Sequence, residues 1–167
     1  MKRLVFICSG NTCRSPMAKG LFVKHLEDRK PELIGEIEVM TAGTSPNSGE
    51  GASRGAMKAM EEVGVDLSDH KAQPVSEAVL AQADWILTMT RSHRDYLTRI
   101  YGKNDKLFTL YEFLGQDKDV LDPFGGDVAV YRACRNELQQ LIEMLIEKLA
   151  GEIKQPEDEV DKSGAQW

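Results

Sequence analysis

The stretch "FICSGNTCRSPMA", residues 6–18, sets Cys8 and Arg14 around five small or polar residues. An apolar run, Leu4 to Cys8, leads into it. Short continuous runs of β-forming residues suit a strand buried on both faces. From Ser15 the pattern turns helical. Pro16 is tolerated in a first turn, and Met17, Leu21, Phe22, His25 and Leu26 recur at helical spacing as far as Lys30-Pro31. A buried strand feeding a helix through a short loop is the building unit of an α/β sheet.

The remainder of the chain repeats that alternation. "EIEVMTAGT" predicts a second strand, with Ile37 and Val39 on one face and Gly43 ending it. "TSPNSGEGASRG" is loop by composition. Ala56, Met57, Met60 and Val63 predict a helix stopping at Gly64. "ADWILTMT" predicts a buried strand, "RSHRDYLTRIYG" a helix, and "KLFTLYEFL" a fourth short strand. From Asp127 a long helix is expected, with Tyr131, Cys134, Leu138, Leu141, Ile142, Leu145 and Leu149 on its apolar face. The polar, acidic tail from Gly151 is expected to be frayed or disordered. The reading is one α/β domain over residues 1–150, with a tail over 151–167 and a parallel sheet.

Composition removes several classes of function. The 167 residues fit a single domain, and 29% charged with 41% hydrophobic residues is ordinary for a globular chain. A net charge of -6 argues against a broad nucleic-acid or anionic-membrane surface. Three cysteines, Cys8, Cys13 and Cys134, do not make a secreted disulfide framework. "MKRLVFICSG" opens like a signal peptide, but its apolar run is too short and no small-residue cleavage site follows. No stretch reaches membrane-spanning length, so a cytoplasmic protein is expected. His25, His70 and His93 share no metal-ligand spacing with each other or with the cysteines, and no metal is expected. Cys134 and Trp85 read as core.

The Cys8 loop lies at the carboxyl end of the first strand, where open α/β sheets gather ligands. Its backbone N–H groups can turn inward as an anion nest, reinforced by the following helix N-terminus. Gly10 removes a Cβ at the bend, and Asn11 tolerates the left-handed conformation. Arg14 offers a planar fork that matches two phosphate oxygens. The Gly-Lys-Ser/Thr ending of a Walker A loop is absent. Cys8 sits at the base of this nest, where the same N–H groups favour a thiolate. A thiolate beneath a bound phosphoryl group is placed for in-line attack on phosphorus. Ser15 can donate a hydrogen bond to the sulfur. The leaving group then needs a proton, and Asp122 in "VLDPFGGD" is the best source, acting next as a base on water. Pro123 restricts the Asp122 backbone, and Gly125 and Gly126 let that loop close over a ligand.

At these residues the sequence resembles the low-molecular-weight protein phosphatases. "CSGNTCRS" matches the family's near-N-terminal Cys-x5-Arg-Ser loop and "DPFGGD" its late Asp-Pro. "TAGT", "WILTMT" and the closing helix extend the similarity over most of the chain. The resemblance implies a four-stranded parallel sheet flanked by helices, a phosphocysteine on Cys8, phosphate binding by Arg14, and Asp122 as acid and base. Ser9, Gly10, Asn11, Thr12, Cys13 and Ser15 complete the phosphate-binding loop. It implies no cofactor and no metal. In the family the loop asparagine is held by a hydroxyl on the second strand and by a histidine; Thr41 and His70 occupy those positions here. It also implies that a reversible Cys8–Cys13 disulfide can form and protect the nucleophile. A monomer acting on phosphorylated proteins is expected.

Within the family, "GNTCRSPMA" with "LDPFGG" looks most like the protein-arginine phosphatase branch. The tyrosine phosphatases carry an apolar residue where Thr12 stands, and often paired aromatics where this chain has Phe124 and Gly125. A guanidinium buried without an acceptor costs about 1–3 kcal/mol, and the Thr12 hydroxyl can accept from it. Thr12 and Phe124 are therefore the specificity candidates. Protein-tyrosine phosphatase is the alternative. Less favoured are an arsenate reductase, which needs further cysteines that are absent between Cys13 and Cys134, and a non-catalytic phosphopeptide-binding module.

Overall fold

The first strand, β1 (Lys2–Cys8), lies inside a four-stranded sheet of order β2-β1-β3-β4, with β2 at Ile37–Gly43, β3 at Trp85–Thr88 and β4 at Leu107–Thr109. The computed structural model describes residues 1–164, with side chains up to Lys154. All pairings are parallel: β1 runs against β2 from Lys2↔Ile37 to Cys8↔Gly43 and against β3 from Leu4↔Trp85 to Ile7↔Thr88. Leu4, Val5, Phe6 and Ile7 are each fully buried. Leu4 and Phe6 belong to the larger core, whereas Val5 and Ile7 face a smaller one with Leu80, Ile86 and Leu97. A strand with apolar neighbours on both faces needs no polar alternation, which explains the unbroken run in the sequence.

Helices α1 (Arg14–Arg29), α2 (Arg54–Glu61), α3 (Glu77–Gln82), α4 (Arg91–Tyr101), α5 (Leu110–Phe113) and α6 (Val128–Gly164) complete the chain. The larger core joins α1, α2 and α6; the smaller one takes Leu80 of α3 and Leu97 of α4. Tyr131, Cys134, Leu138, Leu141, Ile142, Leu145 and Leu149 are all buried along α6, as the helical spacing predicts. No described helix is long and apolar enough to cross a membrane.

Three elements depart from the sequence expectation. Of "KLFTLYEFL" only Leu107–Thr109 is strand. Thr109 and Glu112 then form a capping box that starts α5. Helix α3, capped by Ser76, is new; its six residues bury only Leu80 and so show no period. The expected domain boundary after residue 150 falls inside α6, which continues to Gly164 rather than fraying at Gly151. Glu152 accepts a hydrogen bond from Trp85 Nε1 at 3.1 Å and Ile153 packs on the core, so the helix stays anchored past that point. Residues 165–167 of the expected tail lie outside the described residues.

Candidate active site

Strand β1 delivers Cys8 to the sheet's carboxyl edge, residues 9–13 curl, and α1 starts at Arg14. The curl needs two local permissions. Asn11 has φ 56°, the one positive φ outside glycine among the described residues. Gly43 must lack a side chain, because a Cβ there would sit 2.6 Å from the Ser9 carbonyl oxygen.

Asn11 is fully buried, and its side-chain amide is hydrogen-bonded at both ends. The Gln73 main-chain N–H donates to its Oδ1 at 3.0 Å, which fixes the amide orientation. Its Nδ2 therefore donates to Ser15 Oγ at 2.8 Å. Ser15 Oγ lies 3.0 Å from Cys8 Sγ and, already accepting from Asn11, has its proton free for the sulfur. On the loop's other side, His70 Nε2 donates to the Asn11 carbonyl oxygen at 2.6 Å. Burial lowers the His70 pKa, with a smaller downward push from Lys19, against the raising effect of the Asn11 bond.

The N–H groups from Gly10 to Cys13 donate to no protein acceptor among the described residues, and α1 begins without a side-chain cap. Four N–H groups without an acceptor at an uncapped helix start are the donors an anion site needs. Arg14, only 3% exposed, completes it. Its Nη1 donates to the Val120 carbonyl oxygen at 2.9 Å and its Nη2 lies 3.7 Å from Asp122 Oδ2. Arg14 Nε is a buried nitrogen with no partner among the described residues. A buried donor left unpaired is costly, so the geometry calls for an acceptor at that point.

A cavity of about 220 Å³ opens over the loop, lined by Cys8, Gly10, Thr12, Cys13, Arg14, Asp122 and Phe124. Ser45, Asn47 and Glu50 form its far side. Asp122 has its side chain half-exposed, and its Oδ1 accepts the Phe124 N–H at 3.0 Å. Phe124 itself is 75% exposed. Cys13 is buried and bonds Ser53 Oγ at 3.2 Å. Cys134 is a core thiol on α6, its pKa pushed up to about 12 chiefly by burial. A larger groove of about 410 Å³ lies between α1 and residues 64–70; it includes His70 but neither Cys8 nor Arg14. Among the described residues no group of three or more His, Cys, Asp or Glu is placed to hold a metal ion.

The sequence-derived residues thus converge, with one correction and two additions. The Thr41 hydroxyl makes no hydrogen bond to Asn11 among the described residues; Gln73 takes that part through its main chain, while its side-chain Nε2 donates to the Thr41 carbonyl oxygen at 2.8 Å. Gln73 lies in "LSDHKAQ", beside His70, but a main-chain donor leaves no residue-type signal. His93, on the first turn of α4, has no metal-ligand spacing or other signal in the sequence, yet its Nε2 is 2.7 Å from Ser9 Oγ.

Comparison with known proteins agrees with this geometry. The family model described as low molecular weight phosphotyrosine protein phosphatase matches residues 3–155. A protein-arginine-phosphatase of Geobacillus stearothermophilus is 41% identical over 152 residues, 90% of this chain and 97% of that protein. The solved structure of the YwlE arginine phosphatase from Geobacillus stearothermophilus superposes with a TM-score of 0.83 at 39% identity, covering 91% of this chain and 95% of that one. A YwlE arginine phosphatase mutant with a phosphorylated active site serine gives 0.82 at 36% identity, covering 89% and 95%.

Proposed function

This chain belongs to the low molecular weight phosphotyrosine protein phosphatase family, and from that premise we propose that it hydrolyses phosphoarginine on proteins through a phosphocysteine on Cys8. The observation that carries the proposal is the unpartnered, buried Arg14 Nε beside Cys8 and the free loop N–H groups. Together they fit one tetrahedral oxyanion. The names of the arginine phosphatases it resembles support the substrate class.

The chemistry runs in two steps. Cys8 thiolate attacks phosphorus, the S–P bond forms, and the bond from phosphorus to the guanidinium nitrogen breaks. Asp122 gives its proton to that nitrogen, and free arginine side chain leaves. Water then attacks the phosphocysteine, Asp122 takes a proton from it, and the S–P bond breaks to release phosphate and thiolate. Ser15 holds the departing sulfur. Loop N–H groups and Arg14 stabilise the charge on the transferring phosphoryl oxygens. Thr12 and Asp122, both lining the cavity, offer oxygen acceptors to the guanidinium, and Phe124 shields one side. This proposal treats the protein as a cytoplasmic monomer acting on phosphorylated proteins.

Phosphotyrosine is the second reading, favoured by the family's own description and by the aromatic face of Phe124. The test is kcat/KM on matched phosphoarginine and phosphotyrosine peptides, with Cys8→Ser as the blank. A tenfold preference for phosphoarginine, about 1.4 kcal/mol, is expected. Preference for phosphotyrosine moves the chain to the second reading. No turnover of either above the blank points instead to a phosphopeptide-binding module.

A further inference from the structure

We propose that His93 is a positioning residue for the phosphate loop, acting through the hydroxyl of Ser9. The inference rests on the reading of that loop as the phosphoryl site. His93 is 7% exposed. Its Nε2 lies 2.7 Å from Ser9 Oγ and its Nδ1 2.9 Å from Thr90 Oγ1. Thr90 caps α4 by accepting the His93 main-chain N–H at 3.2 Å, which leaves the Thr90 proton free for Nδ1. Nε2–H then donates to Ser9, and every polar atom of the ring is satisfied. The ring is held neutral: burial first, then the neighbouring Arg14 charge, bring its pKa down to about 4, against the opposite pull of Asp122 and Asp119.

Two imidazoles therefore hold the loop at two points. His70 holds the Asn11 carbonyl and His93 holds the Ser9 side chain. Gly10, between those two residues, lines the cavity. The segment carrying His93 also steadies the acid loop. Arg91 donates its main-chain N–H to Asp119 Oδ1 at 2.9 Å, and Met89 accepts the Val120 N–H at 2.9 Å. Val120 in turn accepts from Arg14. The start of α4 thus sets nucleophile loop and acid loop in one frame. Donors aimed at developing charge act in the transition state more than in the ground state, so loss of His93 should appear in kcat before KM.

The experiment compares His93→Ala, His93→Gln, Ser9→Ala and the double Ser9→Ala/His93→Ala. It reads kcat and KM on p-nitrophenyl phosphate and amide hydrogen exchange of residues 9–14. A misplaced site costs up to about a hundredfold; each alanine variant should lose roughly tenfold or more in kcat with KM within about threefold. The double variant should be no worse than the worse single, because both remove one interaction. Gln, which keeps an N–H near the Nε2 position, should regain most of the loss, and loop amides should exchange faster in both alanine variants. Unchanged kcat in Ser9→Ala, losses that multiply in the double variant, or unchanged loop exchange would each overturn the proposal. If His93→Ala does not fold, Ser9→Ala, which removes only a hydroxyl, gives the same two outcomes. A wild-type protein inert toward p-nitrophenyl phosphate and phosphoarginine alike sinks the phosphatase reading, while the exchange comparison still decides the role of His93.

Discussion

Asn11 Nδ2 donates to Ser15 Oγ at 2.8 Å, and that bond sets the direction of proton donation at Cys8. An amide nitrogen only donates, so the serine oxygen only accepts there. Its own proton is left for Cys8 Sγ at 3.0 Å. The relay runs from the Gln73 main chain through Asn11 and Ser15 to the sulfur, and each member has a single role. A conformation awkward for most residues, the left-handed Asn11, is kept because it aims this relay.

Ser15→Ala removes the last donor. Hydrogen bonds to charged groups are worth about 1.5–3 kcal/mol, which corresponds to a kcat lowered by roughly 10- to 100-fold. Departure of sulfur in the second step should suffer most, so phosphocysteine should accumulate. Rapid-quench kinetics on p-nitrophenyl phosphate should show a burst approaching one equivalent of nitrophenol. Slow turnover without a burst would place the serine's effect in the first step.

Acid should weaken the fold through His93. The folded ring titrates at about 4, against 6.5 for an ordinary histidine. Between those values the unfolded chain holds the extra proton, so lowering the pH favours unfolding. The contribution is complete above pH 6.5 and declines as pH falls toward 4, by up to roughly 3 kcal/mol. His70, also shifted downward, acts in the same direction. Urea midpoints of wild type and His93→Gln at pH 7 and pH 4.5 check this. The variant should lose less stability between the two; equal slopes would refute the assignment.

Thr12→Ile should trade substrates. The change removes an acceptor for the guanidinium and supplies an apolar wall. Unpaired buried polar groups cost about 1–3 kcal/mol, so the phosphoarginine-to-phosphotyrosine ratio of kcat/KM should drop by tenfold or more. A ratio that does not move would take Thr12 out of the specificity account.

Gly43→Ala should damage the site from the neighbouring strand. A Cβ there meets the Ser9 carbonyl oxygen at 2.6 Å and both Cβ and the main-chain N of Asn11 at 3.1 Å, so loop backbone blocks it at two residues. Overpacking costs about 1–3 kcal/mol. Lower thermal stability together with weaker inhibition by inorganic phosphate is expected. Stability loss with phosphate inhibition intact would show that the loop yields without losing its shape.

Much of this was legible from residue types alone. Cys8, Arg14 and Asp122 stand out by their joint spacing after a strand and before helices, and the β1 run announces burial on two faces. What stayed hidden depends on partners distant in sequence. Ser9 and His93 lie 84 positions apart, and Asn11 and Gln73 lie 62 apart. No local period links such pairs. Helices α3 and α5 were missed because six and four residues cannot display a helical repeat. Thr41 offers a hydroxyl on the right strand, yet a main-chain N–H from Gln73 fills the need, and any non-proline residue carries one.

The two-sided burial of β1 has an evolutionary consequence. Leu4 and Phe6 press into one core, Val5 and Ile7 into the other, so a slip of one residue would disrupt both at once. Cys8, the proposed nucleophile at the end of that strand, is therefore nailed in place. Phe124 and the loop carrying Ser45, Asn47 and Glu50 lie at the rim, outside either core. Drift at the rim can retune which phosphorylated side chain enters without disturbing the reaction beneath it. New substrates are reachable here by small steps, each leaving a working catalyst.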